Sequence, residues 1–230
     1  QLPPVQSEGY FINGQPDVML TEVHRQAQEN PIIRLSMDVR EGRGLKHGAY
    51  GSSLVISRRQ LGDERLHNLM MTSDQLLIGT NKSRHLYNGY IRDAIGLNPE
   101  RPDVNDRLVC LRNNHLKQYL NGELWDVKSV KTSRATFDME VQSIDTPNVN
   151  WANIRVPPPF FNGTDKDLDW REKKKYDEFT YGWALTVHKS QGSEWPNVLL
   201  MDESRVFRED ASKHLYTGIT RASESVTVVV

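Results

Sequence analysis

Four apolar runs constrain this fold more than any other feature: Leu54-Val55-Ile56, Gln75-Leu76-Leu77-Ile78-Gly79, Val198-Leu199-Leu200-Met201 and the stretch Ser225 to Val230. Each is short, unbroken or nearly so, and rich in aliphatic side chains, as a buried strand is. Helix signals lie between them. Asn30 suits an N-cap and Pro31 the first helical position, with Ile32, Leu35 and Val39 following at helical spacing. Leu61 to Met71 reads as a second helix. Asn81 to Gly96 reads as a third, with Tyr87, Tyr90, Ile91, Ala94 and Ile95 on its apolar face and Gly96 closing it. Ala211 to Ser223 reads as a fourth, carrying Leu215, Ile219 and Ala222 on one face and Arg221 on another. Strand alternating with helix predicts a parallel α/β sheet.

The pattern changes near Asp103. Arg107 to Leu111, Leu124 to Lys131, Ala135 to Val141 and Asn150 to Val156 read as short strands, with Asn121-Gly122 as a hairpin signal. Such a cluster predicts a small β-barrel inserted into the α/β domain, followed by a charged connecting helix over 165–178. The expected division is 1–102 with 179–230 for the α/β domain, and 103–178 for the insertion.

Composition excludes several classes. In 230 residues the longest apolar stretches are too short to span a bilayer, so no membrane association is expected. The chain has one cysteine, Cys110, so it has no internal disulfide or multi-cysteine zinc site, which fits a cytoplasmic setting. Cys110 itself reads as packed and inert. A net charge of −1 lacks the strongly basic footprint of a general nucleic-acid binder, so DNA contacts would come from a local groove. The ends read as cut: the chain opens Gln1-Leu2-Pro3-Pro4 without Met, and the last strand stops at the boundary.

Three segments carry chemistry. Tyr181 to Trp195 packs Thr186, His188, Lys189, Ser190, Gln191, Gly192 and Glu194 closely together, a polar density suited to bonding phosphates. Leu215 to Ala222 contains Arg221. Leu20 to Gln26 follows a strand and puts Arg25 where α/β sheets bind ligands. Taken singly, each has a bland alternative as a solvated loop or a surface arginine. Other signals are set aside. Gly42, Gly44 and Gly48 have the wrong spacing for a phosphate loop, and Asp165, Asp167 and Asp169 lack the glycine and glutamate of a calcium loop. Lys173 to Lys175 reads as a solvated helix face.

Taken together, the segments resemble superfamily 1 DNA helicases, in particular the RecD and Dda branch. Gln1 to Val5 resembles the end of motif III, Leu20 to Gln26 motif IV, Thr186 to Trp195 motif V, and Leu215 to Ala222 motif VI. Asp106 to Asn114 and Leu120 to Glu123 resemble an inserted Src-homology-3-like barrel. The resemblance implies a RecA-like second motor domain of the P-loop-NTPase type. No phosphate-loop signature occurs in the chain, so that loop and the magnesium site would belong to a preceding RecA-like domain of the same parent protein, and this fragment alone would not hydrolyse ATP.

By that resemblance Arg25 and Arg221 would be arginine fingers and Gln1 a sensor of the γ-phosphate. Gln191, Gly192 and Glu194 would bind ATP, and Thr186, His188, Thr80 and Asn81 would hold single-stranded DNA. No metal ligand is expected in this chain. Expected partners are single-stranded DNA and duplex junctions, with 5′ to 3′ movement. Alternatives are a subunit of a helicase–nuclease complex with nuclease partners, a non-hydrolysing DNA-binding module, and RNA as the track.

Overall fold

The computed structural model describes residues 30–146 and 151–230. In chain order the first stretch holds α1 (Pro31–Arg40), β1 (Gly48–Tyr50), β2 (Ser53–Ile56), α2 (Arg58–Leu61), α3 (Asp63–Thr72) and β3 (Gln75–Ile78). Next come α4 (Asn81–Ala94), β4 (Arg107–Cys110), β5 (Leu124–Thr132), β6 (Phe137–Ser143), β7 (Trp151–Val156), α5 (Pro159–Asn162), α6 (Trp170–Lys173), β8 (Phe179–Tyr181) and β9 (Ala184–Thr186). The chain ends with β10 (Trp195–Met201), α7 (Ala211–Ile219) and β11 (Ala222–Val229). Backbone contacts divide it into two compact units, one running to Thr80 and resuming over Thr186–Val230, the other Asn81–Leu185. The segment 103–178 lies within the second unit, which also takes in α4 and residues 179–185.

The first unit is a mostly parallel sheet. Its strands follow the order β1-β2-β11-β10-β3. The pairs β2–β11, β11–β10 and β10–β3 are parallel, and β1 pairs antiparallel with β2. The apolar runs behave as their sequences require: Leu76, Leu77, Ile78, Val198, Leu199, Leu200, Val226 and Val228 are all buried. Helix α1 begins where expected, because the Asn30 side chain accepts from the amides of Ile32 at 2.9 Å and Ile33 at 3.4 Å. It buries Ile32, Leu35, Ser36 and Val39.

Three expectations change in this unit. Strand β1 falls in the stretch of Gly42, Gly44 and Gly48, where the sequence predicts no strand; as an exposed edge it carries no apolar signature. The helix expected over 61–71 is broken at Gly62, whose φ of 68° caps α2 and forces a restart at α3. Helix α7 stops at Ile219, so Arg221 occupies the turn before β11 rather than a helix face.

The second unit is an antiparallel sheet in the order β7-β6-β5-β4-β8. The strand pairing is that of a curled antiparallel sheet. Its ends are tied by one backbone bond, from the Asp177 amide to the Arg155 carbonyl at 2.9 Å. Trp125, Tyr119 and Phe179 pack edge to face at its centre, with ring centroids 5.1–6.4 Å apart. The Asn121-Gly122 pair does not join two strands directly. Residues 111–123 form a longer connection with its own bridge between Asn114 and Tyr119, and Gly122 donates to the Cys110 carbonyl at 2.9 Å. The charged segment 165–178 makes a short 3-10 turn, Asp165–Asp167, and the single-turn helix α6, not one continuous helix.

Helix α4 departs furthest from its pattern. Tyr90, Ala94 and Ile95 are exposed, and the buried face consists of Arg84, Asn88, Ile91 and Arg92. Each polar member has partners. Arg92 donates to both oxygens of Asp106 and to the carbonyls of Asn98 at 2.6 Å and Arg101 at 2.7 Å. The Trp183 indole donates to the same Asp106 at 3.0 Å. Asn88 pairs with the backbone of Ala184 in both directions. A buried charge is tolerated when it is paired and fully bonded, and this one is. Cys110 is buried in the same unit; its Sγ donates to the Arg112 carbonyl at 3.1 Å, and burial pushes the thiol up to about 12. No helix among the described residues is long and apolar enough to cross a membrane.

Candidate functional site

The first unit sorts the candidate residues to opposite ends of its sheet. At one end, where β10 and β11 begin, Arg221 lies in the turn that follows α7. Its guanidinium donates to the Ser193 carbonyl and its Nε to the Thr217 carbonyl, both at 3.2 Å. The Arg221 carbonyl in turn accepts from the Trp195 amide at 2.9 Å. Arg221 therefore joins the turn 187–194 to the end of α7. Gln191 is half-buried in that turn, whereas Gly192 and Glu194 are exposed. This end gathers one cation, one carboxylate and one amide side chain, the chemistry that bonds a nucleotide's phosphates and sugar.

The turn begins at the other end of the sheet. Thr186 is buried, and its carbonyl accepts from the amides of Lys189 at 2.8 Å and Ser190 at 3.1 Å. Val187 donates to the Ile78 carbonyl at 2.9 Å, which places the start of the turn beside the carboxyl end of β3. His188 follows and is exposed. Thr80, just beyond β3, is half-buried, and its amide together with that of Gly79 donates to the Glu203 carboxylate, each at 2.9 Å. Asn81, next in sequence, is exposed at the start of α4, where its side chain accepts from Arg84 at 3.3 Å. Carboxyl ends of parallel strands are the usual ligand-binding edge of α/β sheets.

The sequence reading missed three residues at this edge. Glu203 caps the end of β3, and a Cβ on Gly79 would lie 2.7 Å from its Cβ, so no larger residue fits there without movement. Phe207 and His214 stack at 4.1 Å with an 18° tilt, and His188 packs near both, at 5.5 and 5.7 Å. His214 is buried, and burial, then the neighbouring His188, lowers its pKa to about 4 against the opposing pull of Asp202 and Glu203. The only available signal was the acidic pair Asp202-Glu203 directly after a strand.

Thr186, His188, Gln191, Gly192, Glu194 and Arg221 are thus joined by one turn and one arginine. Gln1 and Arg25 lie outside the described residues. Among the described residues no three His, Cys, Asp or Glu side chains converge to hold a metal ion.

Residues 181–229 match the family model of the UvrD-like helicase C-terminal domain, a segment that holds all six of the joined residues. Over 97% of its length the chain is similar to the ATP-dependent RecD2 DNA helicase of Deinococcus radiodurans, with 25% identity, and it spans 30% of that protein. Over 48% of its length it is 30% identical to the RecBCD enzyme subunit RecD of Buchnera aphidicola, covering 18% of that subunit. In fold it resembles a chain from a structure of two coordinating Pif1 helicases on forked double-stranded DNA. That likeness has a TM-score of 0.50 at 16% identity, over 86% of this chain and 46% of the other. Residues 181–229 are thus similar to a UvrD-like helicase C-terminal domain, and nearly the whole chain is similar to a stretch of the RecD2 helicase, in a fold that resembles that of a Pif1 helicase chain.

Proposed function

We propose that the chain is the C-terminal motor half of a cytoplasmic, ATP-dependent DNA helicase that translocates 5′ to 3′ on single-stranded DNA and unwinds duplex. The supporting observation is the turn 187–194. It has His188 at the sheet edge expected to hold DNA and Glu194, with Arg221, at the end expected to meet nucleotide. A shift of that turn on nucleotide binding would be felt at both ends. The RecD2 relative is named an ATP-dependent DNA helicase, which agrees with this reading.

In this mechanism residues 1–102 and 179–230 form a RecA-like motor domain, and 103–178 forms a Src-homology-3-like insertion that guides or separates strands. Arg221 presents its guanidinium to the γ-phosphate, where phosphoryl transfer spreads charge over the oxygens, and Arg25 adds a second cation. Gln1 senses the same phosphate. Glu194 holds the nucleotide at the ribose, and Gln191 and Gly192 line the interface. His188, Thr80 and Asn81 contact the DNA backbone, with Thr186 anchoring the turn from beneath. Magnesium, bound with ATP on the preceding domain, would neutralise phosphate charge. The carbonyl bonds that now hold Arg221 fix its side chain before ATP arrives, so less ordering is needed on binding.

The test is ATP hydrolysis by the full parent protein, with and without single-stranded DNA, beside Arg221→Ala. Single-stranded DNA should stimulate the wild type, and the substitution should lower turnover by about 10³, the range of a lost arginine finger. Absence of hydrolysis in the wild type would favour a non-hydrolysing DNA-binding module, and a variant equal to wild type would show that Arg221 is not a finger. The 30% identity to RecD supports a second reading, membership of a helicase–nuclease complex. Co-purification of nuclease subunits with the parent protein would establish it.

A further inference from the structure

Several costly features of the first unit meet at one spot. Arg208 has φ 51° and ψ −111°, a backbone conformation that side chains other than glycine rarely adopt. Its neighbour Phe207 stacks on His214 at 4.1 Å. His214 is 5% exposed, yet its Nε2 has no hydrogen-bond partner among the described residues. A leucine or phenylalanine at that position would fill space without an orphaned nitrogen. Gly79 is pressed from the same side: a Cβ there would meet Glu203 Cβ at 2.7 Å and Phe207 Cε2 at 3.3 Å. All of these lie at the carboxyl edge of β3, under the exposed ring of His188.

Strain and unsatisfied polar groups persist in a fold only where the surroundings enforce them, and they gather at binding sites. The block is also stiff. The Glu203 carboxylate ties the segment before Phe207 to the Gly79 and Thr80 amides, and α7 carries His214 on a regular helix. What this stiffness fixes is His188, whose ring rests 5.5 Å from Phe207 and 5.7 Å from His214.

We infer that Phe207 and His214 are positioning residues for His188, forming with it a three-ring block that presents the exposed imidazole to single-stranded nucleic acid. The inference rests on the helicase reading and extends it to a segment, 203–214, outside the motifs that carry that reading. A ring held at a fixed angle gives one N–H or one flat face to a backbone phosphate or base. A free ring would lose rotational freedom on each encounter.

The experiment uses the full parent protein and fluorescein-labelled oligo(dT), with oligo(U) as a second probe, read by anisotropy and by stimulation of ATP hydrolysis. Phe207→Leu keeps apolar bulk but removes the stacked face, and Phe207→Tyr keeps the face. Losing one positioned contact to a charged backbone should weaken oligo(dT) binding about tenfold in Phe207→Leu. The half-stimulating DNA concentration should rise by the same factor, with turnover at saturating DNA little changed. Phe207→Tyr should stay within about twofold of wild type, and Phe207→Leu should add nothing to the loss caused by His188→Ala, since both act through one ring. Wild-type affinity in Phe207→Leu overturns the inference, as does an equal loss in Phe207→Tyr or full additivity with His188→Ala. In each of those cases, DNA-stimulated hydrolysis by the wild type leaves the helicase reading standing. A wild type that binds neither oligonucleotide overturns both, and preference for oligo(U) keeps the block but assigns it to RNA.

Discussion

The two units bury polar groups in opposite ways. In the parallel unit the strands are aliphatic, and buried polar side chains sit at strand starts (Ser53, Gln75), in the segments beyond strand ends (Ser190, Ser204) or on the covering helices (Ser36, His214). In the antiparallel unit charge enters the core itself: Arg92 and Asp106 are 2% and 0% exposed and share bonds with Trp183 and two carbonyls. Asp177 does similar work, accepting from Tyr119, from Lys117 at 2.7 Å and from the Arg155 amide at 2.8 Å. The contrast separates two ways of holding a fold. One relies on apolar area and leaves its strand ends open to chemistry. The other relies on a bonded polar network, which fixes geometry but is vulnerable to the loss of any one member.

The largest effect should follow from that vulnerability. Asp106→Ala leaves Arg92 charged, buried and without its carboxylate, and should destabilise the antiparallel unit by about 3–5 kcal/mol. Amide hydrogen exchange would show lost protection concentrated in residues 81–185; equal loss in both units would break the contrast. A smaller effect should come from pH in the parallel unit. His214 has a folded pKa near 4, below the ordinary 6.5, so as pH falls the unfolded chain takes up the proton first. Stability from this group is complete above pH 6.5 and is lost between 6.5 and 4. Between about pH 7 and 4.5 the wild type should lose roughly 1–2 kcal/mol more than His214→Leu, after allowance for partial solvent screening. Parallel denaturant titrations at the two pH values would check it, and identical slopes would show that His214 does not titrate differently on folding. Smallest is Asn30→Ala, which removes the cap of α1 and should cost about 1 kcal/mol. Its exchange signature should be confined to the first turns of α1.

The same contrast explains what the sequence disclosed. The aliphatic strands of the parallel unit and the Asn30-Pro31 helix start were legible because burial there follows hydropathy and local capping. The face of α4 was not: Arg84, Asn88 and Arg92 look like a solvated stripe until Thr180, Ala184 and Asp106 arrive from distant sequence as their partners. Helix lengths failed where a single residue decides, as at Gly62, or where a strand follows without a loop, as after Ile219. In the candidate site, the motif residues around Thr186 to Glu194 and Arg221 were legible because they are dense and local. Glu203, Phe207 and His214 were not, because each is an ordinary residue in its own segment and acquires meaning only from the end of β3 and the ring of His188.

The burial of Cys110 has a practical consequence. The one thiol of these 230 residues is sealed in the antiparallel unit and held far from its reactive form, so in this chain a thiol reagent should find almost nothing to modify while that unit stays closed. The rate at which the reagent consumes the thiol is then a clock for transient opening of that unit. A fluorophore attached to a cysteine introduced on any exposed surface would report from that position against a silent background.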